Sequence, residues 1–268
     1  MRPVRLTCIL TATLLVIVFC FWKWGIPRWS SETLDRLQVS VGVELTITEF
    51  EHPDSDRITI FTVKSHDKNI GFTIDFSEPN PDVLRPDFVA TGQGQHAVAM
   101  INGSYFDSSF QPVGLVVMDG QTVSKMSPQP ALSGVLAITD NHELVLIPRS
   151  KYRSESYIQN AIQAGPFIVD PGGKMGIRSD DLKTAKRTAV GQSISGEIVF
   201  ISTTECTLYE LSAILVKHAH TLGVEGFDTV LNLDGGPSAG LYLNGIEEYH
   251  LIPETEVPNR ILMLNRRR

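Results

Sequence analysis

The chain has 268 residues, 42% of them hydrophobic and 20% charged, an ordinary balance for a globular protein and too apolar for a disordered one. A formal net charge of −7 at pH 7 argues against nucleic acid as a partner. Of 3 cysteines, Cys8 and Cys20 lie in the first apolar stretch, which leaves Cys206 without an internal disulfide partner and reads it as a small buried hydrophobe.

Residues 6–24 are almost continuously apolar, a length suited to a bilayer span of about 20 residues. Arg2 and Arg5 precede the run, and Trp22, Trp24 and Trp29 cluster at its far end, as an interfacial aromatic belt would. No small-residue cleavage site follows. Residues 1–26 are therefore expected to form an uncleaved signal anchor with one transmembrane helix, which places the remainder on the extracytoplasmic face of the membrane. A cleaved signal peptide and secretion are the alternative. Residues 27–40 read as a polar linker and 41–268 as one domain.

Strand-like runs follow at 41–47, 58–63 and 72–76, and then Pro79, Pro81 and Pro86 mark an irregular crossing with a short helical turn. Paired runs flank the turn dipeptides Asp119-Gly120, Asp140-Asn141, Ser195-Gly196 and Asn244-Gly245, four expected hairpins. A helix is expected over 154–163. Another opens at Thr207, whose spacing to Glu210 is that of a capping box. It carries Leu208, Leu211, Leu215, Ala219 and Leu222 on one face and ends at Gly223. A last strand is expected at 261–264. The fold class is α+β: a strand-rich, mixed or antiparallel sheet core with a few flanking helices.

The chemistry-bearing stretch is Asn232-Leu233-Asp234-Gly235-Gly236-Pro237-Ser238. An apolar run ends there in a carboxylate followed at once by two glycines. That leaves Asp234 at a strand mouth, beside backbone a ligand can approach closely. Three other segments combine glycine with polar groups: Asn102-Gly103-Ser104-Tyr105-Phe106-Asp107, Ala164-Gly165-Pro166, and Arg187-Thr188-Ala189-Val190-Gly191. Tyr105 and Phe106 read as core or wall. Gly236-Pro237-Ser238-Ala239-Gly240 has the spacing of a serine-hydrolase elbow, but a strand, not a helix, is expected after it. His218 and His220, two apart on a helix, do not share a face and make a poor metal pair.

Taken together and in this order, the four segments resemble the phosphodiester glycosidases. That family includes the lysosomal uncovering enzyme and bacterial exopolysaccharide-related members. Ser104 and Pro237 stand where the family commonly has glycine. The resemblance implies hydrolysis of a bond between a sugar's anomeric carbon and phosphate, with a glycan or sugar-phosphate substrate. It implies catalytic roles for Asp234, at the sugar, and Arg187, as a bidentate phosphate clamp. Asn102, Gly103, Thr188, Asn232, Gly235, Gly236 and Ser238 become candidate substrate contacts, the glycines through backbone amides offered to oxyanions. Asp107 is a candidate second carboxylate with no assigned role. No cofactor is implied; a divalent cation stays open and unassigned, since no loop has a known ligand spacing. A non-catalytic glycan-binding scaffold and a glycan-modifying transferase using the same site are the rival functions.

Overall fold

The computed structural model describes residues 29–52, 55–76 and 88–266. The signal-anchor reading of 1–26 and the helical turn expected among Pro79, Pro81 and Pro86 lie outside these residues. Among the described residues no helix is long and apolar enough to cross a membrane. Trp29, read as part of an aromatic belt, is instead buried, with its ring 5.1 Å from that of His52.

Of the stretch read as a linker, residues 30–40 form a strand, β1 (Ser30–Ser40), antiparallel to β2 (Val43–His52). Half-buried Asp35, Leu37 and Val39 alternate with exposed Arg36 and Gln38, the period of a strand with one face turned inward. One inward residue is a carboxylate, which accepts a hydrogen bond from the Tyr249 hydroxyl at 3.0 Å and hides the pattern from a hydropathy reading. β3 (Ser55–Ser65) continues the meander. It pairs with β14 (Ile198–Thr203), which pairs in turn with β13 (Thr188–Ser193). The sheet continues through β15 (Phe227–Asn232) and β11 (Phe167–Asp170) to β12 (Lys174–Met175), giving an 8-stranded sheet.

Two smaller sheets complete the architecture. A 4-stranded sheet has the order β16 (Leu241–Leu243), β5 (Ala99–Asn102), β17 (Arg260–Asn265), β4 (Ile70–Asp75). A 5-stranded sheet has the order β7 (Gln121–Ser124), β6 (Val116–Met118), β10 (Ile158–Ala164), β8 (Gly134–Thr139), β9 (Leu144–Pro148). The ladders within all three are antiparallel, so the mixed alternative gives way to an antiparallel core. The hairpin at Asp119-Gly120 has positive φ at both turn residues, as a two-residue hairpin turn requires. The Asn244-Gly245 turn does not close a hairpin; a 3-10 turn, Glu247–Tyr249, follows it.

The main core lies between one face of the large sheet and the two smaller sheets, and joins Leu45, Val63, Phe72, Ile101, Leu136, Ile162, Phe200 and Leu231. On the other face of the large sheet lies α2 (Leu208–Lys217), where Leu211, Ile214 and Leu215 meet Ile168, Val199 and Val230. The capping box of Thr207 and Glu210 is present in both directions. The helix ends at Lys217, earlier than expected, and Ala219 and Leu222 reach the same cluster from the turns that follow. A short helix, α1 (Phe88–Gly94), covers the outer face of the 4-stranded sheet through Phe88, beside Met100, Tyr242 and Leu262.

The helix expected over 154–163 is instead β10. Its apolar residues fit either period, and tertiary context decides. Ala161 and Ile162 point to opposite faces, into two different hydrophobic clusters. Gln163 is 1% exposed, and its amide does the work of a short strand. Oε1 accepts from the backbone N–H groups of Leu115 and Ser127, and Nε2 donates to the carbonyls of Ser127 and Leu132. Gln163→Met keeps the volume and strands three buried backbone groups, since the Ser127 carbonyl keeps a bond from Arg149 Nη1 at 3.3 Å. Each costs about 1–3 kcal/mol when unpaired, so urea denaturation is expected to show a loss of about 3 kcal/mol or more. A variant as stable as the parent would mean that water replaces these bonds.

Candidate active site

Four segments that carry the polar motifs meet at one end of the sheets. β15 pairs with β13 so that Ala189 faces Asn232, and the next residue, Leu233, donates its N–H to the Thr188 carbonyl at 2.9 Å. The Asp234 N–H then crosses to the Gly103 carbonyl at 3.0 Å, beyond the end of β5. The cis Gly165-Pro166 turn joins from the other side, where Gly165 N–H donates to the Asn232 carbonyl and Asn232 N–H to the Pro166 carbonyl.

Asp234 sits at the centre of this junction, half-buried. Its main-chain carbonyl accepts from Asn102 Nδ2 at 2.7 Å, and its Oδ1 accepts from the Gly235 N–H at 3.0 Å. Burial pushes its carboxyl pKa up from the ordinary 3.8, while hydrogen bonds from the Ser238 side chain and the Gly235 amide pull it back. The net shift is upward, so removal from water outweighs the two bonds.

Asn102 and Asn232 bind the protein rather than solvent. Asn102 is 0% exposed; beyond its bond to Asp234, its Oδ1 accepts from the Gly240 N–H at 3.0 Å. It therefore staples both ends of the Asp234–Gly240 loop and has no face for a sugar hydroxyl. Asn232 Nδ2 donates to the Tyr105 hydroxyl at 2.6 Å and to the Leu233 carbonyl at 2.8 Å, while its buried Oδ1 has no partner among the described residues. The buried Thr188 Oγ1 is likewise unpartnered, and Thr188 is 0% exposed.

Tyr105, read from the sequence as wall, is a central member of the network. Its hydroxyl lies 2.7 Å from the Gly165 carbonyl and 2.9 Å from the Leu233 carbonyl, the residue just before Asp234. Burial first, and then the charge of Asp234, push the phenol far above its usual range, whereas the Asn232 bond and the Arg187 charge act the other way. The phenol stays neutral and donates. The signal available in the sequence was an aromatic three residues after a strand-ending Asn; its long-range partners were not.

The glycines act through tight packing rather than free amides. A Cβ on Gly103 would lie 1.9 Å from Asn259 Oδ1, and one on Gly235 would lie 2.7 Å from the Lys186 carbonyl. Gly236, at φ +58°, faces open space. All three N–H groups are already bonded: Gly103 to the Asn259 carbonyl, Gly235 to Asp234 and Gly236 to the Lys186 carbonyl. The expected amide nest for an oxyanion is therefore absent at these positions.

Arg187 is half-buried and oriented by two carbonyls. Nε donates to Cys206 at 3.0 Å and Nη2 to Lys183 at 2.5 Å, which leaves Nη1 without a protein partner among the described residues. It makes no ion pair with Asp234. Asp107 is exposed, and its Oδ1 accepts from the N–H groups of Ser109 and Gln111, so it caps its own turn. Ser238 ends a 3-10 turn that runs into β16, with no helix after it, and its hydroxyl serves Asp234. Among the described residues no three His, Cys, Asp or Glu side chains gather as metal ligands would.

A sequence profile of the phosphodiester glycosidases matches residues 95–264. No curated protein matches the chain. The fold is similar to that of a hypothetical protein from Synechocystis, at 15% identity and a TM-score of 0.62, over 89% of this chain and 64% of that one, so this chain spans a little under two thirds of that protein. It is also similar to the zebrafish N-acetylglucosamine-1-phosphodiester alpha-N-acetylglucosaminidase catalytic domain auto-inhibited by pro-peptide. There the identity is 15% and the TM-score 0.59, over 92% of this chain and 91% of that one.

The raised carboxyl pKa fixes the sign of a stability effect. A carboxyl whose folded-state pKa exceeds its unfolded value binds its proton more tightly when folded, so its favourable contribution is full below 3.8 and is lost as pH rises through the folded value. Asp234→Asn is expected to denature at higher urea than the parent at neutral pH. The gap should close as pH falls toward 4. A variant less stable than the parent at pH 7 would show that the bonds from Gly235 and Ser238 outweigh burial.

Proposed function

The chain belongs to the phosphodiester glycosidase family, and from that premise we propose that it hydrolyses a sugar-1-phosphodiester, breaking the link between an anomeric carbon and phosphate. The observation that carries this reading is the seam between the two motifs: the Leu233 N–H donates to the Thr188 carbonyl, the Gly236 N–H donates to the Lys186 carbonyl, and a Gly235 side chain would begin 3.8 Å from the Arg187 Cα. The backbones that carry an acid and a guanidinium distant in sequence are thus joined at the end of the sheets, which suits a substrate with a developing positive sugar and a negative leaving group.

In this reading Asp234 works at the sugar. It is raised by burial, yet held by Ser238 and Gly235 in one orientation, as a base, nucleophile or electrostatic stabiliser must be. Arg187 neutralises the phosphate through the part of its guanidinium that the Lys183 and Cys206 carbonyls leave free. Phosphate departs as a stable anion, so the reaction makes little demand on a general acid. That agrees with an Asp107 spent on capping its own loop. Asn102, Asn232 and Tyr105 position the carboxylate rather than touch the substrate. The buried, unpartnered Asn232 Oδ1 and Thr188 Oγ1 are the groups with hydrogen-bonding capacity left over. We further propose, from the apolar run at 6–24, that the enzyme is anchored at the extracytoplasmic face of a membrane and meets an envelope or extracellular glycan. We propose no cofactor; a divalent cation has no assigned site, and a chelator tests for one.

The test is a screen of the full chain against sugar-1-phosphodiesters, with and without a chelator. Turnover of at least one diester is expected, unchanged by chelation. Asp234→Asn is expected to lower kcat by about 10²–10⁴-fold, the usual range for a lost acid–base group, and to keep the parent's far-UV circular dichroism. Full activity in that variant would remove Asp234 from the chemistry, and inactivity of the parent on every diester would remove the reaction itself.

A further inference from the structure

We infer that Lys186 reads the charge of the substrate's phosphate, and that Glu254 is a resident carboxylate holding its ammonium until that phosphate arrives. The inference rests on the proposed reaction and assigns a specificity group within it. The site must bind an anion. The N–H groups of Gly103, Gly235 and Gly236 are spent within the protein, and Arg187 has committed Nε and Nη2 to carbonyls. Lys186 is the next residue along, and its backbone is welded to the Asp234 loop. Its carbonyl accepts the Gly236 N–H at 2.8 Å and lies 2.7 Å from where a Gly235 side chain would begin.

Its ammonium is not buried in that joint. Nζ meets Glu254 Oε1 at 2.5 Å, with the two side chains 42% and 62% exposed. Glu254 is tied to the same loop from the other side, its N–H donating to the Pro237 carbonyl at 2.7 Å. The ion pair therefore links the two residues whose backbones hold the Gly235–Pro237 turn, which directly follows the carboxylate proposed to act on the sugar. Gly236 faces open space there. An exposed pair of this kind contributes little stability and exchanges partners readily. A phosphodiester oxygen also takes a charge-assisted hydrogen bond from an ammonium, and one already fixed by the rest of a bound substrate is a less entropically costly partner than a mobile glutamate side chain. Substrate binding would swing the Lys186 ammonium from Glu254 to phosphate, with no covalent step.

The experiment uses the full chain and three probes: a sugar-1-(methyl phosphodiester) that the parent cleaves, inorganic phosphate as a competitive inhibitor, and the uncharged methyl glycoside of the same sugar as a second inhibitor. Lys186→Ala is expected to raise KM for the diester and Ki for phosphate about tenfold or more, the weight of one charge-assisted hydrogen bond. It should leave the Ki of the methyl glycoside near the parent's. Lys186→Arg should recover most of the loss, and Glu254→Gln, which frees the ammonium, should lower the phosphate Ki. An unchanged phosphate Ki in Lys186→Ala overturns the assignment. So does a matching rise in the methyl glycoside Ki, since that would mark a merely structural strut. A parent that cleaves no diester fails the functional reading instead, and is seen before any variant is made.

Discussion

The site depends on one buried amide. Asn102 ends β5, one of the two inner strands of the 4-stranded sheet, and its side chain binds the Asp234 carbonyl at one end and the Gly240 N–H at the other. These partners lie 132 and 138 residues away in sequence. The amide satisfies both groups because it carries a donor and an acceptor at a fixed separation. Full burial removes water as a competitor. No aliphatic or acidic side chain of similar size supplies both functions, which is why an asparagine stands at the end of an otherwise apolar strand.

Around that staple, opposing terms set the state of Asp234. Burial disfavours its charge; two hydrogen bonds favour it; burial wins, but the residue stays only half-buried. Tyr105 and Asn232 form a second tier that fixes the preceding carbonyl, so the carboxylate projects from backbone held on both sides. Such a site is stiff on the acid side. On the cation side it is mixed: Arg187 is pinned by two carbonyls, whereas Lys186 is pinned only through its main chain.

Local rules carried far in the sequence. The apolar run before Asp234 became β15, the capping box at Thr207 opened α2, and the Asp119-Gly120 turn closed its hairpin, because each is specified by neighbours a few residues apart. The misreadings share a different cause. The strand at 158–164 resembled a helix because its apolar residues serve two cores on opposite sides of the sheet. The strand at 30–40 resembled a linker because one of its inward residues is a carboxylate whose hydrogen-bond donor, Tyr249, lies 214 residues away. The order of motifs brought Asn102, Arg187 and Asp234 to one place, yet not their division of labour. Whether an amide faces a substrate or a carbonyl is settled by partners that sequence proximity does not reveal.

The four strands that precede residue 95 have a consequence for what counts as the folding unit. β3 lies against β14, and β4 closes the side of β17 away from β5. The segment 95–264, which carries the whole family signature, leaves both of those neighbours bare if taken alone: two long rows of unpaired amides and carbonyls beside an opened hydrocarbon interior. Heredity has marked one stretch of the chain, and cooperative folding draws a wider border around it.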